Sequence, residues 1–329
     1  MKSLTIRSAA GATGFLILVA IAAVLLWQGK SRVPVIAVVP ETTAQEIWES
    51  EHTGAAQAAR QLGWNVYWNA PVREDDFQRQ IRIVEQSVAR RVDGLVLAPD
   101  HAIALISPVR SAVAHHIPTV IVASPLGIAP DDGLRYVLND EAAMGRLGAE
   151  RAARLMKDGD TAVVIGINPG LLASVQRADA FEKILRRLRP GVKIEERSIR
   201  SASAAEAEET AEEAIHSDPH LRVILALNVY QSRSAFGAMQ ATGKVGSIAL
   251  IACDQDLDLL FHLRSGGIDT VLAQDTRTMG SLAIETIDAM RKHRPTAAQQ
   301  MVEPVLITRE NVDTDRVQQV LNMDWRAGG

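Results

Sequence analysis

The sequence predicts an α/β protein with parallel sheets covered by helices on both faces. Short, solidly apolar runs such as VIAVV (Val35–Val39) and GLVLA (Gly94–Ala98) have the composition of strands buried on both sides. Amphipathic stretches of helical period separate them, so strand and helix alternate about ten times. A chain of 329 residues can hold ten strands as one sheet, but two sheets of five to six strands match usual sheet sizes better.

In order, the strand at 35–39 leads into a helix over 44–62, closed by Gly63. WNVYW at 64–68 alternates like a strand, placing Trp64 and Trp68 on one face as packing residues. Phe77, Ile81, Val84 and Val88 mark a helix over 75–90. A strand at 94–98 stops at Pro99-Asp100, a helix covers 103–115 despite Pro108, and strands follow at 119–123 and 136–138. The alternation then resumes. Helices are predicted over 141–156, 173–188, 204–216, 232–242, 257–264, 279–291 and 312–321. Strands are predicted at 162–167, 193–197, 223–227, 248–252, 270–273 and 301–307. Gly266-Gly267 reads as a plain helix stop.

Composition narrows the function classes. A formal charge of −4 supplies no concentrated positive face for nucleic acid. The single cysteine, Cys253, ends an apolar strand and reads as a small buried hydrophobe. No cysteine pair or HExxH spacing calls for a metal, and no glycine-rich phosphate loop calls for a nucleotide, so no cofactor is expected. No G-x-S-x-G elbow marks a hydrolase.

The N-terminus reads as a targeting segment. Lys2 and Arg7 precede an uncharged apolar stretch, 11–27, of 17 residues, at the lower limit for a spanning helix and long for a signal core. Without a convincing small-x-small cleavage site, an uncleaved signal anchor in the cytoplasmic membrane is the first expectation and a cleaved signal peptide the second. Either places the remainder in the periplasm or cell envelope.

In a parallel sheet, ligands bind outside the carboxyl ends of the strands. Those ends are Pro40-Glu41, Pro99-Asp100, Ser124, Asn168, Asn228, Asp254 and Gln274. Any one of them could simply cap the next helix. Asn228, Asp254 and Gln274 stand apart as a set, because each ends a buried strand where the chain could have used Gly or Ser. Trp48 follows the first strand closely enough to project over the same cleft or to pack in the core.

Several segments carry a family resemblance: IAVVPETTAQEIWESEHTGAAQAARQLGWNV (36–66), VDGLVLAPD (92–100), IPTVIV (117–122), NDEAAMGRLGAE (139–150), QRADAF (176–181), LALN (225–228) with FGAMQATGK (236–244), IACDQD (251–256) and TVLAQDTRTMG (270–280). In order and spacing they resemble the periplasmic sugar-binding proteins of the ribose-binding type, related to the ligand domain of lac-repressor-like regulators. The resemblance implies two doubly wound parallel-sheet lobes joined by a three-segment hinge, with crossings near 138–141, 273–275 and 302–304. The implied organisation is 1–32 as signal anchor or signal peptide plus linker, 33–139 with 275–302 as the N-terminal lobe, and 140–274 with 303–325 as the C-terminal lobe. In that family the residues at the positions of Asn228, Asp254 and Gln274 hydrogen-bond sugar hydroxyls. The opposite lobe departs from the family. Gln45, Ile47 and Trp48 stand where the family has an Asn and paired aromatics, with Glu41 at the strand end, and Ala123-Ser124 replaces an Asp-Arg pair. Ala98 replaces an Asn, and Val175 occupies a ligand-contacting arginine's position with Arg177 nearby.

The implied function is extracytoplasmic capture of a sugar-like small molecule for an ABC-type importer, without catalysis. The alternatives are a membrane-anchored ligand sensor signalling to a partner and, less favoured, an exported glycoside-acting enzyme using Asp254 with Asp100 or Glu41. A transcription regulator is disfavoured, because a hydrophobic segment occupies the place of a helix-turn-helix.

Overall fold

The computed structural model describes residues 32–73, 75–198 and 204–321. The apolar segment expected at 11–27 lies outside them. Among the described residues no helix is long and apolar enough to cross a membrane.

The first sheet contains β1 (Val35–Val39), β2 (Asn65–Trp68), β3 (Gly94–Leu97), β4 (Thr119–Ala123), β5 (Leu134–Asn139) and β11 (Gln299–Val302), in the order β11-β5-β4-β3-β1-β2. The second contains β6 (Thr161–Ile167), β7 (Lys193–Ser198), β8 (Leu221–Ala226), β9 (Ala249–Cys253), β10 (Thr270–Ala273) and β12 (Val305–Ile307), in the order β12-β10-β9-β8-β6-β7. The two orders are the same topology used twice, each a doubly wound 2-1-3-4-5 arrangement with one added edge strand.

Helices α1 (Glu46–Gln61) and α9 (Thr276–Arg291) cover one face of the first sheet, and α2 (Phe77–Ala89) and α3 (Ile106–Ala114) cover the other. Around the second sheet, α4 (Glu141–Leu155) and α5 (Leu172–Leu188) pack on one face. The opposite face carries α6 (Ala204–Ser217), α7 (Val229–Ala241), α8 (Leu257–Ser265) and α10 (Asp315–Leu321). Each sheet therefore separates two apolar layers, which is why its central strands are apolar on both sides.

The chain passes between the sheets three times, after Asn139, after Gln274 and at Glu303-Pro304. The last passage corrects the single strand expected over 301–307. The segment is two strands in different sheets, because Pro304 has no N–H to continue a ladder. It also corrects the expectation of purely parallel sheets. β11 runs parallel to β5 toward the crossing, so β12 runs away from it, antiparallel to β10.

Smaller differences have local causes. Helix α7 begins at Val229, earlier than expected, because the Asn228 side chain caps it by accepting from the Gln231 N–H at 3.0 Å. Helix α9 begins at Thr276, capped by Asp275. Helix α3 starts at Ile106, which puts Pro108 in its first turn, where a proline is tolerated. Trp64 precedes β2 and packs on the α1–α9 side of the core, while Trp68 stacks on His52 with ring centroids 4.5 Å apart.

Helices α1 and α9 approach at Gly54 and Gly280. A Cβ on Gly54 would lie 2.0 Å from the Arg277 carbonyl oxygen, and one on Gly280 would lie 2.3 Å from that of Glu51. Only glycine permits this backbone contact. The contact holds α9, which is distant in sequence, against the first lobe and so fixes the second crossing.

Candidate functional site

The carboxyl ends of both sheets face one enclosed cleft. Its cavity measures about 60 Å³, on a scale where one water needs roughly 10–15 Å³, which suits a small polar molecule rather than a peptide or lipid chain. The lobes touch directly beside it. The Ala102 N–H donates to the Gly170 carbonyl at 2.8 Å. Across the mouth, the Leu257 N–H at the start of α8 donates to Glu46 Oε2 at 2.9 Å.

All eight residues singled out from the sequence lie on this cavity: Glu41, Gln45, Trp48 and Ser124 from the first lobe, and Arg177, Asn228, Asp254 and Gln274 from the second. Their environments differ. Asp254 is 7% exposed and sits at φ 66°, a left-handed conformation that turns the chain sharply off β9. Gln274 Nε2 donates to Asp254 Oδ1 at 2.7 Å. Gln255 holds the backbone of Gln274 on both sides, donating to its carbonyl at 2.8 Å and accepting from its N–H at 3.1 Å. Asn228 spends its side-chain oxygen on the helix cap.

Arg177 does a different job from a simple ligand contact. It is 2% exposed and forks onto Glu141, with Nε to Oε2 at 2.6 Å and Nη2 to Oε1 at 3.1 Å. Its Nη1 donates to the Leu227 carbonyl at 2.7 Å and lies 3.7 Å from Asp254 Oδ1. Burial works against the guanidinium charge, but Glu141 and Asp254 overcome it and hold its pKa well above the usual arginine range. Burial pushes the Asp254 carboxyl up, opposed by Arg177 and by the Gln274 hydrogen bond. Arg177 therefore positions Asp254 and the loop after β8, with most of its donors already committed.

In the first lobe, Ser124 follows a three-residue turn at Ala123, which has φ 59°, and the Ser124 N–H donates to the Val122 carbonyl at 2.7 Å. Strained backbone of this kind clusters at functional sites. Asp100 is 9% exposed, and burial is the main cause that pushes its carboxyl up to about 7.

Five buried side-chain atoms on the cavity wall have no hydrogen-bond partner among the described residues: Trp48 Nε1, Asp100 Oδ2, Ser124 Oγ, Gln231 Oε1 and Gln274 Oε1. Leaving a buried polar group unsatisfied costs about 1–3 kcal/mol, so so many on one wall mark a surface completed by water or ligand.

The sequence reading missed Asp75, Glu141, Ser174 and Gln231 on the cavity. Gln231 stands three residues after the helix cap Asn228, a capping-box spacing visible in the sequence. Glu141 becomes informative only once Arg177 is known to reach it.

The sequence profile of the periplasmic binding protein domain matches residues 36–295. The D-ribose/D-allose-binding protein of Pseudomonas aeruginosa is 26% identical over 268 residues, covering 77% of this chain and 81% of that protein. The D-apiose import binding protein of Paraburkholderia graminis is 22% identical over 279 residues, covering 84% and 88%. An ABC transporter solute-binding protein from Agrobacterium vitis, solved with alpha-D-tagatopyranose, superposes with a TM-score of 0.81 at 21% identity, over 87% of this chain and 98% of that one. With its repeated 2-1-3-4-5 sheets meeting at one cleft, the chain belongs to the periplasmic binding protein domain family.

Proposed function

We propose that this protein captures a sugar-like small molecule between its lobes outside the cytoplasm and delivers it to an ABC-type importer. The observation that carries the reading is the set of unpartnered buried polar atoms contributed by both lobes to one enclosed cavity. Relatives named for binding ribose, allose and apiose favour a sugar as the ligand class. In this reading Asp254 and Gln274 accept and donate to adjacent hydroxyls from one lobe, and Gln45, Trp48 and Ser124 meet the ligand from the other. A ligand that touches both lobes only when they meet favours the closed arrangement, so capture is a population shift about the three crossings. No covalent step is required.

The apolar run Phe15–Trp27 supports a further element of the reading, attachment to the cytoplasmic membrane. Tethering would suit ligand sensing through a membrane partner as well as delivery.

The test is a thermal-shift screen of the purified protein against monosaccharides, polyols and amino acids, since a ligand that binds only the native state raises its melting temperature. A sugar or polyol should stabilise the protein, and Gln274→Ala should abolish the shift. Stabilisation by amino acids alone, or a sugar shift that survives Gln274→Ala unchanged, would refute the reading.

A further inference from the structure

Asn228 and Gln231 share the start of α7 and divide its work. The Asn228 side-chain oxygen accepts from the Gln231 N–H at 3.0 Å and so caps the helix. Gln231 stands at the third position after the cap, where a glutamine side chain can reach back to the cap's own N–H and close a capping box. The box stays open. Gln231 is 6% exposed, and its Oε1 is buried with no hydrogen-bond partner among the described residues.

The carboxamide lies over Gly166, near the carboxyl end of β6. A Cβ on Gly166 would meet Gln231 Cγ at 2.7 Å, Cδ at 3.0 Å and Oε1 at 3.3 Å. Gly166 has φ 101° and sits where the β6–β7 register shifts between Ile165 and Ile167. Such an irregularity re-aims a strand beside a site, and here it clears the room that the carboxamide fills. Gly166 and Gln231 both line the cleft cavity. Neither feature favours folding by itself. Glycine weakens a strand interior, and a buried acceptor left unpaired is costly.

We infer that Gln231 is a ligand-binding residue whose carboxamide reads one hydroxyl of the bound molecule from the β6–α7 side of the cleft, accepting through Oε1. The inference rests on the reading of the cleft as a sugar-type site and adds a contact beyond Asn228, Asp254 and Gln274. It also divides the roles at this end of the cleft. Asn228 has an acceptor committed to the cap, so the acceptor left for the ligand is that of Gln231. A hydroxyl brings the proton that Oε1 needs. A ligand ether oxygen or carboxylate brings none, so this position selects for a hydroxyl.

The test measures affinity by calorimetry on the full chain and, without ligand, stability by urea unfolding. The probes are D-ribose, D-allose, D-arabinose and D-fucose, followed by derivatives of the tightest binder that each lack one hydroxyl. Gln231→Met keeps the length of the side chain and removes its polar groups. Gln231→Ala is the companion variant, with no bulk to press on Gly166. The ligand-free urea midpoint should hold or rise in Gln231→Met, because no internal side-chain hydrogen bond is lost. The parent sugar should bind about three- to tenfold more weakly in both variants. One deoxy derivative, weaker than its parent in the wild type, should match it within about twofold in the variants, because it lacks the hydroxyl that Gln231 reads. Deoxy derivatives that all keep their wild-type penalties in the variants would overturn the contact. Lower ligand-free stability in both variants, with every sugar weakened alike, would make Gln231 a structural residue and overturn it too. Parent affinity unchanged in both variants would overturn the inference and leave the sugar-site reading standing. No binding of any probe to the wild type would overturn both.

Discussion

Asp254→Asn separates the role of the Asp254 carboxylate from its role in the fold. Asparagine is nearly isosteric and tolerates the φ of 66° found at this position. It keeps an oxygen for the Gln274 Nε2 donor, now 2.7 Å away. Arg177 loses a charge 3.7 Å distant but keeps its fork onto Glu141 and its bond to the Leu227 carbonyl. The ligand-free protein should therefore change by less than about 1 kcal/mol, as expected where no core contact or buried donor is abandoned. Ligand binding should suffer more. A hydrogen bond to a charged group contributes about 1.5–3 kcal/mol against roughly 0.5–1.5 for a neutral pair. The difference, about 1–2 kcal/mol, is a loss of roughly 5–30-fold in affinity. Calorimetry with a ligand identified by thermal shift, beside denaturant unfolding without ligand, measures both numbers. Undiminished affinity would refute the assignment of Asp254 to the ligand, and a matching loss of ligand-free stability would make its role structural. Asp254→Ala is the poorer probe, because alanine in the left-handed region adds about 1–2 kcal/mol of backbone cost unrelated to ligand.

Three further outcomes follow from the geometry. Glu51 on α1 is 1% exposed, both its carboxyl oxygens lack partners among the described residues, and burial pushes it up to about 8. A carboxyl raised in the folded state stabilises below its unfolded pKa and loses that contribution as pH rises through the folded value, here about 4–5 kcal/mol between roughly pH 4.5 and 8. Melting temperature should fall over that window, and Glu51→Gln should flatten the fall; parallel wild-type and variant curves would contradict it. Gly54→Ala would force the α1–α9 backbones apart and should destabilise by about 1–3 kcal/mol in urea unfolding, as overpacking does. Glu46→Ala removes the carboxylate at the N-terminus of α8, a bridge worth about 0.3–1 kcal/mol. It should weaken ligand two- to fivefold by lowering the closed fraction, and it should enlarge the ligand-free radius of gyration in small-angle scattering.

How far the sequence could reach depends on what each residue answers to. Element positions were legible because burial on both faces writes itself as unbroken apolar runs: the strand at 119–123 and that at 270–273 stand where the composition put them. The edge strands β11 and β12 were not legible as a pair. QQMV and VLI are too short and mixed to show a period, and only the placement of Pro304 between two sheets separates them. The site divides along the same line. Asn228, Asp254 and Gln274 could be found because strand order alone places carboxyl ends together. Asp75 could not, because it lies in the loop between β2 and α2, well past the end of its strand, and only the fold brings it to the cavity. Glu141 likewise reads as the first residue of a helix after its cap, and only the folded chain brings Arg177 to it from α5. What the linear pattern encodes is therefore the direction each strand faces. What it withholds is which charges that direction makes neighbours, as the fork of Arg177 onto Glu141 beside Asp254 shows.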